Sequence, residues 1–225
     1  MNCVIACNKN WCSNILSNHN DSNDFQFTII DKKQDLTISL LEKVKPDYIF
    51  FPHWSYLIPE EIYSQYECIV FHMTDLPYGR GGSPLQNLII RGHKETMLSA
   101  LKCEKGFDTG PIYLKAKLSL IGTAEEILFR ASRLIESMII RVISEKPKPK
   151  NQKGKPTTFN RRTAEDNNWS LANSLDEVFD RIRMLDSKDY PAAFVQIGQY
   201  KLEFSNATRE AESVVSSVKI IKIEE

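Results

Sequence analysis

The chain has 225 residues, of which 29 are basic and 29 acidic, so its formal net charge is zero. This length fits one sizeable domain with a small appendage. The charge balance gives no long-range attraction to nucleic acid, and no apolar run approaches the ~20 residues that a membrane span needs. We therefore expect neither a nucleic-acid nor a membrane partner. The N-terminal segment has no basic leader, which predicts no signal peptide.

Predicted strands and helices alternate over the first two thirds of the chain. Strands are predicted at 3–7, 27–30, 47–51 and 68–72, helices at 36–44, 59–63 and 84–91, an antiparallel pair at 96–104 and 111–118, and a long helix from 123. Ser83 before Pro84 predicts an N-cap, and Thr123 with Glu126 predicts a capping box. This alternation is typical of an α/β fold with an open, mostly parallel, Rossmann-like sheet.

The composition changes at Lys146, where ten residues contain five lysines, two prolines and a glycine. This predicts an exposed linker at 146–158 between a catalytic core at 1–145 and an appendage at 159–225. The alternative is that the lysines form an edge that contacts an anion.

The last third of the chain predicts a small α+β appendage that packs on the core. Ser174 and Glu177 form a second capping box, and Phe179, Ile182 and Leu185 follow it with helical spacing. Three short strands are predicted at 193–197, 201–205 and 214–223. The last of these offers an edge for a homodimer.

Five cysteines without a CxxC pair predict a reduced, cytoplasmic protein without a zinc site. Cys7 and Cys12 lie close enough in the sequence to bind a metal ion together with His19. The ordinary alternative is that such cysteines are small buried apolar residues, so we expect no metal.

The most informative stretch begins with His72 at the end of a predicted strand, continues through a loop rich in Pro, Gly and Arg, and is followed by Asp108 in a Gly-rich turn. Ligands of parallel sheets bind beyond the carboxyl ends of the strands, where His72 lies. Transfer of an acyl group to an amine needs a proton acceptor, a donor to the developing oxyanion and aligned reactants. We predict that His72 accepts the amine proton and that Asp108 orients the imidazole. A histidine satisfied inside the structure is the alternative.

The pattern His-x-x-x-Leu-Pro-x-x-Arg-Gly-x-x-Pro-x-x-x-x-Ile, followed by Gly-x-Asp-x-Gly, resembles the folate-dependent formyltransferase family. The resemblance covers residues 1–145 by architecture and 47–115 by motif. It implies 10-formyltetrahydrofolate as the formyl donor, no metal, and catalytic roles for His72 and Asp108. Residues 51–59 resemble the loop that lines the pterin pocket. The implied cofactor-binding residues are Pro52, Trp54, Leu57, Arg80, Glu104, Gly106 and Phe107, and the substrate-binding residues are Thr74, Tyr78, Gly81, Asn87 and Arg161.

One position departs from the family pattern. The family has Asn-x-His, whereas this chain has Val70 two residues before His72. Valine cannot donate a hydrogen bond to a formyl oxygen, and loss of one such donor costs about 10²–10³ in rate. Either the chain is a folate-binding, non-catalytic relative, or another donor replaces the asparagine; the candidates are His53, Trp54, Asn87 and a backbone amide.

The tail decides the predicted acceptor. Residues 160–166 and 182–194 are similar to the segment after the core in sugar N-formyltransferases. The residues of the His72 motif, His-Met-Thr-Asp-Leu-Pro, resemble those of formyltransferases in pseudaminic-acid-type pathways. We therefore predict formyl transfer to the amine of a nucleotide-linked amino-deoxy sugar. Arg161 and Arg162 are candidate diphosphate contacts or solvated surface residues. The alternative acceptor is methionyl-tRNA.

Overall fold

The structure, a computed structural model, describes residues 1–9, 15, 25–170 and 172–223. The predicted metal ligands Cys12 and His19 lie outside these residues. The described strands are β1 (Asn2–Cys7), β2 (Gln26–Ile30), β3 (Tyr48–His53), β4 (Cys68–His72), β5 (Arg80–Gly81), β6 (Glu95–Lys102), β7 (Ile112–Ser119), β8 (Thr158–Phe159), β9 (Ala193–Ile197), β10 (Tyr200–Arg209) and β11 (Val214–Lys222). The described α-helices are α1 (Ile38–Val44), α2 (Glu60–Tyr63), α3 (Pro84–Ile90), α4 (Ala124–Glu145) and α5 (Leu175–Arg183).

The core is a six-stranded sheet with the strand order β2-β1-β3-β4-β6-β7. The first four strands are parallel, and β6 and β7 are antiparallel to their neighbours. The predicted α/β fold with a mostly parallel sheet is therefore confirmed. Parallel strands covered on both faces are uniformly apolar, which explains why residues 3–6 are buried almost completely.

Two apolar clusters cover the two faces of this sheet. Successive residues of a strand point to opposite faces, so Ile5 packs into the first cluster and Val4 into the second. Helices α3 and α4 contribute to the first cluster and α1 and α2 to the second. The first cluster also includes five residues of the C-terminal third, which shows that this part packs on the core: Phe159, Ile182, Met184, Leu185 and Ala193.

The C-terminal third contains α5 and a three-stranded antiparallel sheet with the order β11-β10-β9. Strand β10 extends to Arg209 rather than ending at 205, because its pairing with β11 resumes after an irregularity between Ser205 and Thr208. Strand β11 lies at the edge of this sheet, where a homodimer contact stays a prediction. Among the helices that the structure describes, none is both long enough and apolar enough to cross a membrane.

Arg183 joins α5 to the core and is 3% exposed. Its guanidinium donates to the carbonyl oxygens of Leu120 and Gly122, at 2.7 and 2.8 Å, in the turn between β7 and α4. It also pairs with Asp180 at 2.6 Å. A buried charge is stable only when it is paired and hydrogen-bonded, and Arg183 has both kinds of partner.

The predicted capping boxes form to different degrees. The Thr123 hydroxyl accepts from the Glu126 amide, and the Glu126 carboxylate accepts from the Thr123 amide, so the first box is complete. Ser174 caps α5, but the carboxylate of Glu177 accepts from the amide of Asn173 instead. The second box is therefore only half formed.

Ser83 precedes α3, as predicted, but its side chain does not cap the helix. Its hydroxyl accepts a hydrogen bond from the Arg162 amide at 3.1 Å, and its backbone lies in the left-handed region with φ +50°. The predicted side-chain cap is therefore wrong, because a distant segment competes for the hydroxyl.

Candidate active site

His72 and Asp108 lie side by side. The imidazole Nδ1 is 3.5 Å from the Asp108 carboxylate oxygen Oδ2, and both side chains are largely shielded from solvent. His72 ends β4, whereas Asp108 lies on the loop between β6 and β7. The structure thus brings together the two predicted catalytic residues, although β5, α3 and β6 lie between them in the chain.

The backbone around Arg80 and Gly81 fixes the carboxylate. The amide of Gly81 donates to Asp108 Oδ2 at 2.9 Å. Gly81 has φ +97°, which favours glycine, and Asp108 itself has φ +54°. A backbone amide therefore holds the same carboxylate oxygen that faces the imidazole.

The other nitrogen of His72 contacts the loop as well. Its Nε2 is 2.7 Å from the carbonyl oxygen of Gly79, which also accepts from the hydroxyl of Thr74 at 3.3 Å. Both ring nitrogens thus face oxygen acceptors. This arrangement fixes the orientation of the ring.

Residues 150–162, which we call the strap, run along the segment that follows His72, here called the His72 loop (residues 73–83). Its strand β8 pairs in parallel with β5, and the Gly79 amide donates to the Thr157 hydroxyl at 2.8 Å. The Phe159 ring packs edge-on against Tyr78, with 5.4 Å between centroids, and leaves no room for a Cβ on Gly79. Part of the predicted linker is therefore an ordered part of the site, while the boundaries of the three segments stay a prediction.

Gln152, in the strap, was not among the site residues predicted from the sequence. Its side chain contacts Arg80 on one loop and the carbonyl groups of Asp108 and Gly110 on the other. A single glutamine among lysines carries no local signal of this role. The short β-branched and aromatic run at 157–159 is the only sequence sign that the strap forms a strand.

The predicted cofactor-binding residues occupy two regions. Trp54 and Leu57 line a cavity of about 390 Å³ together with Lys33, Gln34, Leu36 and Pro59. The indole Nε1 of Trp54 is buried and has no hydrogen-bond partner among the described residues. Pro52 is buried near the end of β3. Glu104, Gly106 and Phe107 are exposed on the loop that carries Asp108. His72 and Asp108 do not line this cavity, so their relation to it is part of the proposal below.

The predicted substrate-binding residues are divided between internal and exposed positions. The Asn87 amide nitrogen donates to the carbonyl oxygens of Gly82, Ser83 and Asn160, so it already has internal partners and we leave it out of the proposed site. Thr74 is buried, and its hydroxyl donates to the carbonyl oxygen of Gly79. Tyr78 contacts His93 at 3.0 Å, and Arg161 is exposed beside Gly82.

Electrostatics distinguish two other titratable groups near these loops. Burial, with the charge of Lys9, lowers the pKa of His53 to about 4; Asp189 opposes this shift and Arg161 adds to it. His53 is thus neutral near pH 7 and can donate one hydrogen bond.

Burial and the charges of Asp108 and Glu104 raise the pKa of the Cys103 thiol to about 11. Cys103 therefore stays a neutral thiol beside Asp108 and is a poor nucleophile. No cluster of three or more potential metal ligands occurs within the described ranges.

An imidazole beside a carboxylate can accept and return a proton, which acyl transfer to an amine requires. A formyl transferase family profile matches residues 16–143, and a profile for the C-terminal domain of methionyl-tRNA formyltransferase matches residues 164–221. Because the first profile covers more than half of the chain, the protein belongs to the formyl transferase family. The predicted membership of the formyltransferase family is confirmed, and folate dependence is a property of that family.

Three relatives illustrate the similarity. A solved structure of methionyl-tRNA formyltransferase from Clostridium thermocellum is 45% identical, covers 99% of both chains and has a TM-score of 0.96. The methionyl-tRNA formyltransferase of Rickettsia prowazekii is 31% identical over 50% of this chain and 38% of its own length. That of Francisella philomiragia is 23% identical over 84% of this chain and 64% of its own length. The chain thus spans less than two thirds of these curated relatives.

These matches correct the predicted acceptor. A sugar N-formyltransferase from Shewanella is only 15% identical, with a TM-score of 0.65 over 94% of this chain and 99% of its own, and shares the fold alone. The predicted nucleotide-linked amino sugar is therefore wrong, and so is the expectation of no nucleic-acid partner. That expectation used the net charge of the whole chain, which does not show where the charges lie.

Gly110 offers a test of the Asp108 loop. A Cβ on Gly110 would lie 1.9 Å from the carbonyl oxygen of Lys102, so the loop must shift in Gly110→Ala. Because a 1 Å misplacement can cost about 10²-fold in rate, we expect kcat for formyl transfer to fall by about 10- to 100-fold. Steady-state kinetics with the purified variant measure this effect.

The matched control is Gly92→Ala. Gly92 has φ +77° with no atom within 4 Å of the added Cβ, so we expect a stability loss of about 1 kcal/mol and an unchanged kcat. Equal kcat values for Gly110→Ala and the wild type would show that the position of this loop does not limit the reaction.

Proposed function

We propose that the protein transfers the formyl group of 10-formyltetrahydrofolate to the amino group of methionyl-tRNA. The similarity to the Clostridium thermocellum enzyme carries this proposal, because it extends over nearly the whole of both chains at 45% identity. The match of residues 164–221 to a methionyl-tRNA formyltransferase C-terminal domain supports the same acceptor.

The distribution of charge supports an RNA substrate. Residues 146–162 contain seven cationic side chains and no acidic one: Lys146, Lys148, Lys150, Lys153, Lys155, Arg161 and Arg162. All are exposed except Arg162, which is half-buried. This basic segment includes the strap, so the positive charge lies along the loop that follows His72. Phosphate groups of an RNA bind to such a surface by releasing condensed counterions.

The site accounts for the chemistry in one sequence of bond changes. The methionyl amine attacks the formyl carbon, a new N–C bond forms, and the bond from that carbon to N10 of the folate breaks. His72 accepts a proton from the amine, and Asp108 stabilises the protonated imidazole. The proton then passes to N10, which leaves formylmethionyl-tRNA and tetrahydrofolate.

The cavity beside Trp54 supports the folate donor. Its lining is mostly apolar, and the buried indole N–H of Trp54 has no partner among the described residues, so a planar ring with an acceptor atom fits it. Lys33 at this cavity offers a cation for a carboxylate. Leu57 and Phe107 present exposed apolar surface on the two loops.

A formylation assay tests the proposal. Purified protein is incubated with 10-formyltetrahydrofolate and methionyl-tRNA, and formylmethionyl-tRNA and tetrahydrofolate are measured together. We expect equal amounts of the two products, and none when free methionine replaces methionyl-tRNA. Folate binding without either product would instead identify a non-catalytic relative, the outcome that Val70 makes a real alternative.

Binding of methionyl-tRNA should depend strongly on salt. If three cations of the basic segment neutralise phosphates, the affinity should fall by roughly 20- to 40-fold between 50 and 200 mM salt. The double variant Lys148→Gln/Lys153→Gln should reduce the slope of log affinity against log salt by about 2. The measurement is a filter-binding or fluorescence titration at several salt concentrations.

The control variant Lys43→Gln/Lys45→Gln removes two exposed lysines from the end of α1. We expect its salt slope to equal that of the wild type. Equal slopes for all three proteins would place the RNA contacts away from the basic segment.

A further inference from the structure

Gln152 connects the segment that follows His72 to the loop that carries Asp108. Its amide nitrogen lies 2.8 Å from the carbonyl oxygen of Asp108 and 2.8 Å from that of Gly110. Its amide oxygen accepts from Arg80 Nε at 3.2 Å and from Nη2 at 2.8 Å. One half-buried side chain therefore makes four hydrogen bonds, two to each loop.

These contacts act on the same groups that hold His72. Arg80 directly precedes Gly81, whose amide donates to the Asp108 carboxylate. Gln152 fixes the backbone of Asp108 on one side and the Arg80 side chain on the other. The distance between the Gly81 amide and the Asp108 carboxylate thus depends on a residue that contacts neither of these two groups.

We propose that Gln152 is a positioning residue that sets the Asp108 carboxylate against the Gly81 amide and the His72 imidazole during formyl transfer. The proposal rests on the function proposed above. Asp108 has φ +54°, so its loop is held in a conformation that L-residues rarely adopt, and it needs outside contacts to stay there. Gln152 supplies them from the strap.

Glutamine is the residue type that meets both demands. Two carbonyl oxygens need a donor, and a guanidinium needs an acceptor, and a primary amide provides both. In Gln152→Glu the carboxylate still accepts from Arg80 but cannot donate to Asp108 or Gly110. In Gln152→Leu the size is similar and both sets of hydrogen bonds are lost.

The test compares formyl transfer by the wild type, Gln152→Leu and Gln152→Glu with methionyl-tRNA and 10-formyltetrahydrofolate. We expect both variants to lower kcat by about 10- to 100-fold, because a misplaced catalytic group costs up to about 10²-fold. KM for either substrate should change by less than about threefold, because Gln152 acts through Asp108 rather than on a substrate.

A double-mutant cycle separates positioning from a general structural effect. If Gln152 acts through Asp108, then adding Gln152→Leu to Asp108→Asn should lower kcat by less than about threefold further. An equal further loss in both backgrounds would overturn the proposal. The control Gln65→Leu removes an exposed glutamine amide outside the strap, one that donates only to the Glu61 carbonyl at 2.7 Å, and it should leave kcat unchanged.

Hydrogen exchange gives a readout that needs no activity. Gln152→Leu should speed amide exchange in peptides covering 79–82 and 106–110, and Gln65→Leu should not. If the wild type forms no formylmethionyl-tRNA, the proposed function fails, and the exchange experiment alone decides whether Gln152 holds these loops. Unchanged exchange in Gln152→Leu would overturn the positioning role in either case.

Discussion

Replacing His72 with alanine is expected to lower kcat for formyl transfer by about 10²- to 10⁴-fold, the usual contribution of a positioned proton acceptor. His72 is 7% exposed, and its two ring nitrogens face Asp108 and Gly79. Alanine removes the proton acceptor but leaves the carbonyl of Gly79 its hydrogen bond from Thr74. The fold should therefore persist, and circular dichroism and the thermal midpoint check this.

The comparison variant for this experiment is His93→Ala. His93 contacts the hydroxyl of Tyr78 rather than a carboxylate, so loss of its imidazole should change kcat by less than about threefold. A His72→Ala protein that retains kcat within tenfold of the wild type would remove His72 as the base. The search for the proton acceptor would then turn to Asp108.

Replacing Arg183 with methionine is expected to lower the free energy of unfolding by about 3–5 kcal/mol, the cost of breaking a buried ion pair on one side. Methionine keeps much of the length of the side chain, so the main loss is electrostatic. Asp180 loses its cation, and the carbonyl oxygens of Leu120 and Gly122 lose their donor. Equilibrium unfolding in urea measures the change.

An exposed arginine provides the control. Arg141 pairs with Glu145 one turn along α4, where solvent surrounds both groups. Exposed pairs of this kind contribute little, so Arg141→Met should leave the unfolding curve unchanged within error. If Arg183→Met also leaves the curve unchanged, α5 does not depend on this anchor for its attachment to the core.

The sequence predicted the elements of the core because their signals are local. Apolar runs identified the parallel strands, and the Thr123 box identified the start of α4. The same signals failed at Ser83, whose position before Pro84 is right for a cap but whose hydroxyl bonds to Arg162. A local rule cannot include a competitor that is 79 residues away.

The candidate site was predicted in part. The family resemblance implied His72 and Asp108, and the structure places them 3.5 Å apart, although their catalytic roles stay a prediction. Asn87 was expected to bind substrate, yet its amide is occupied by three backbone carbonyls. Gln152 was not predicted at all, since its partners lie on two other loops.

A nucleic-acid partner was wrongly excluded because net charge is a sum over the chain. A total of zero conceals a basic segment at 146–162 that contains no acidic residue. Long-range attraction to a polyanion depends on local clusters of charge within a Debye length of the surface, about 8–10 Å in ordinary buffers. A chain-wide balance therefore does not exclude an RNA partner.

The sequence by itself determined the α/β sheet, the long capped helix and, through the family motif, the identity of the His72–Asp108 pair. Each of these depends on periodicity or on residues within one short segment. Only the tertiary structure decided that the strap lies against the His72 loop, that Gln152 joins Arg80 to the Asp108 loop, and that Arg183 anchors α5. Such contacts join segments distant in the chain, and their hydrogen bonds depend on the final packing, which leaves no pattern in either segment alone.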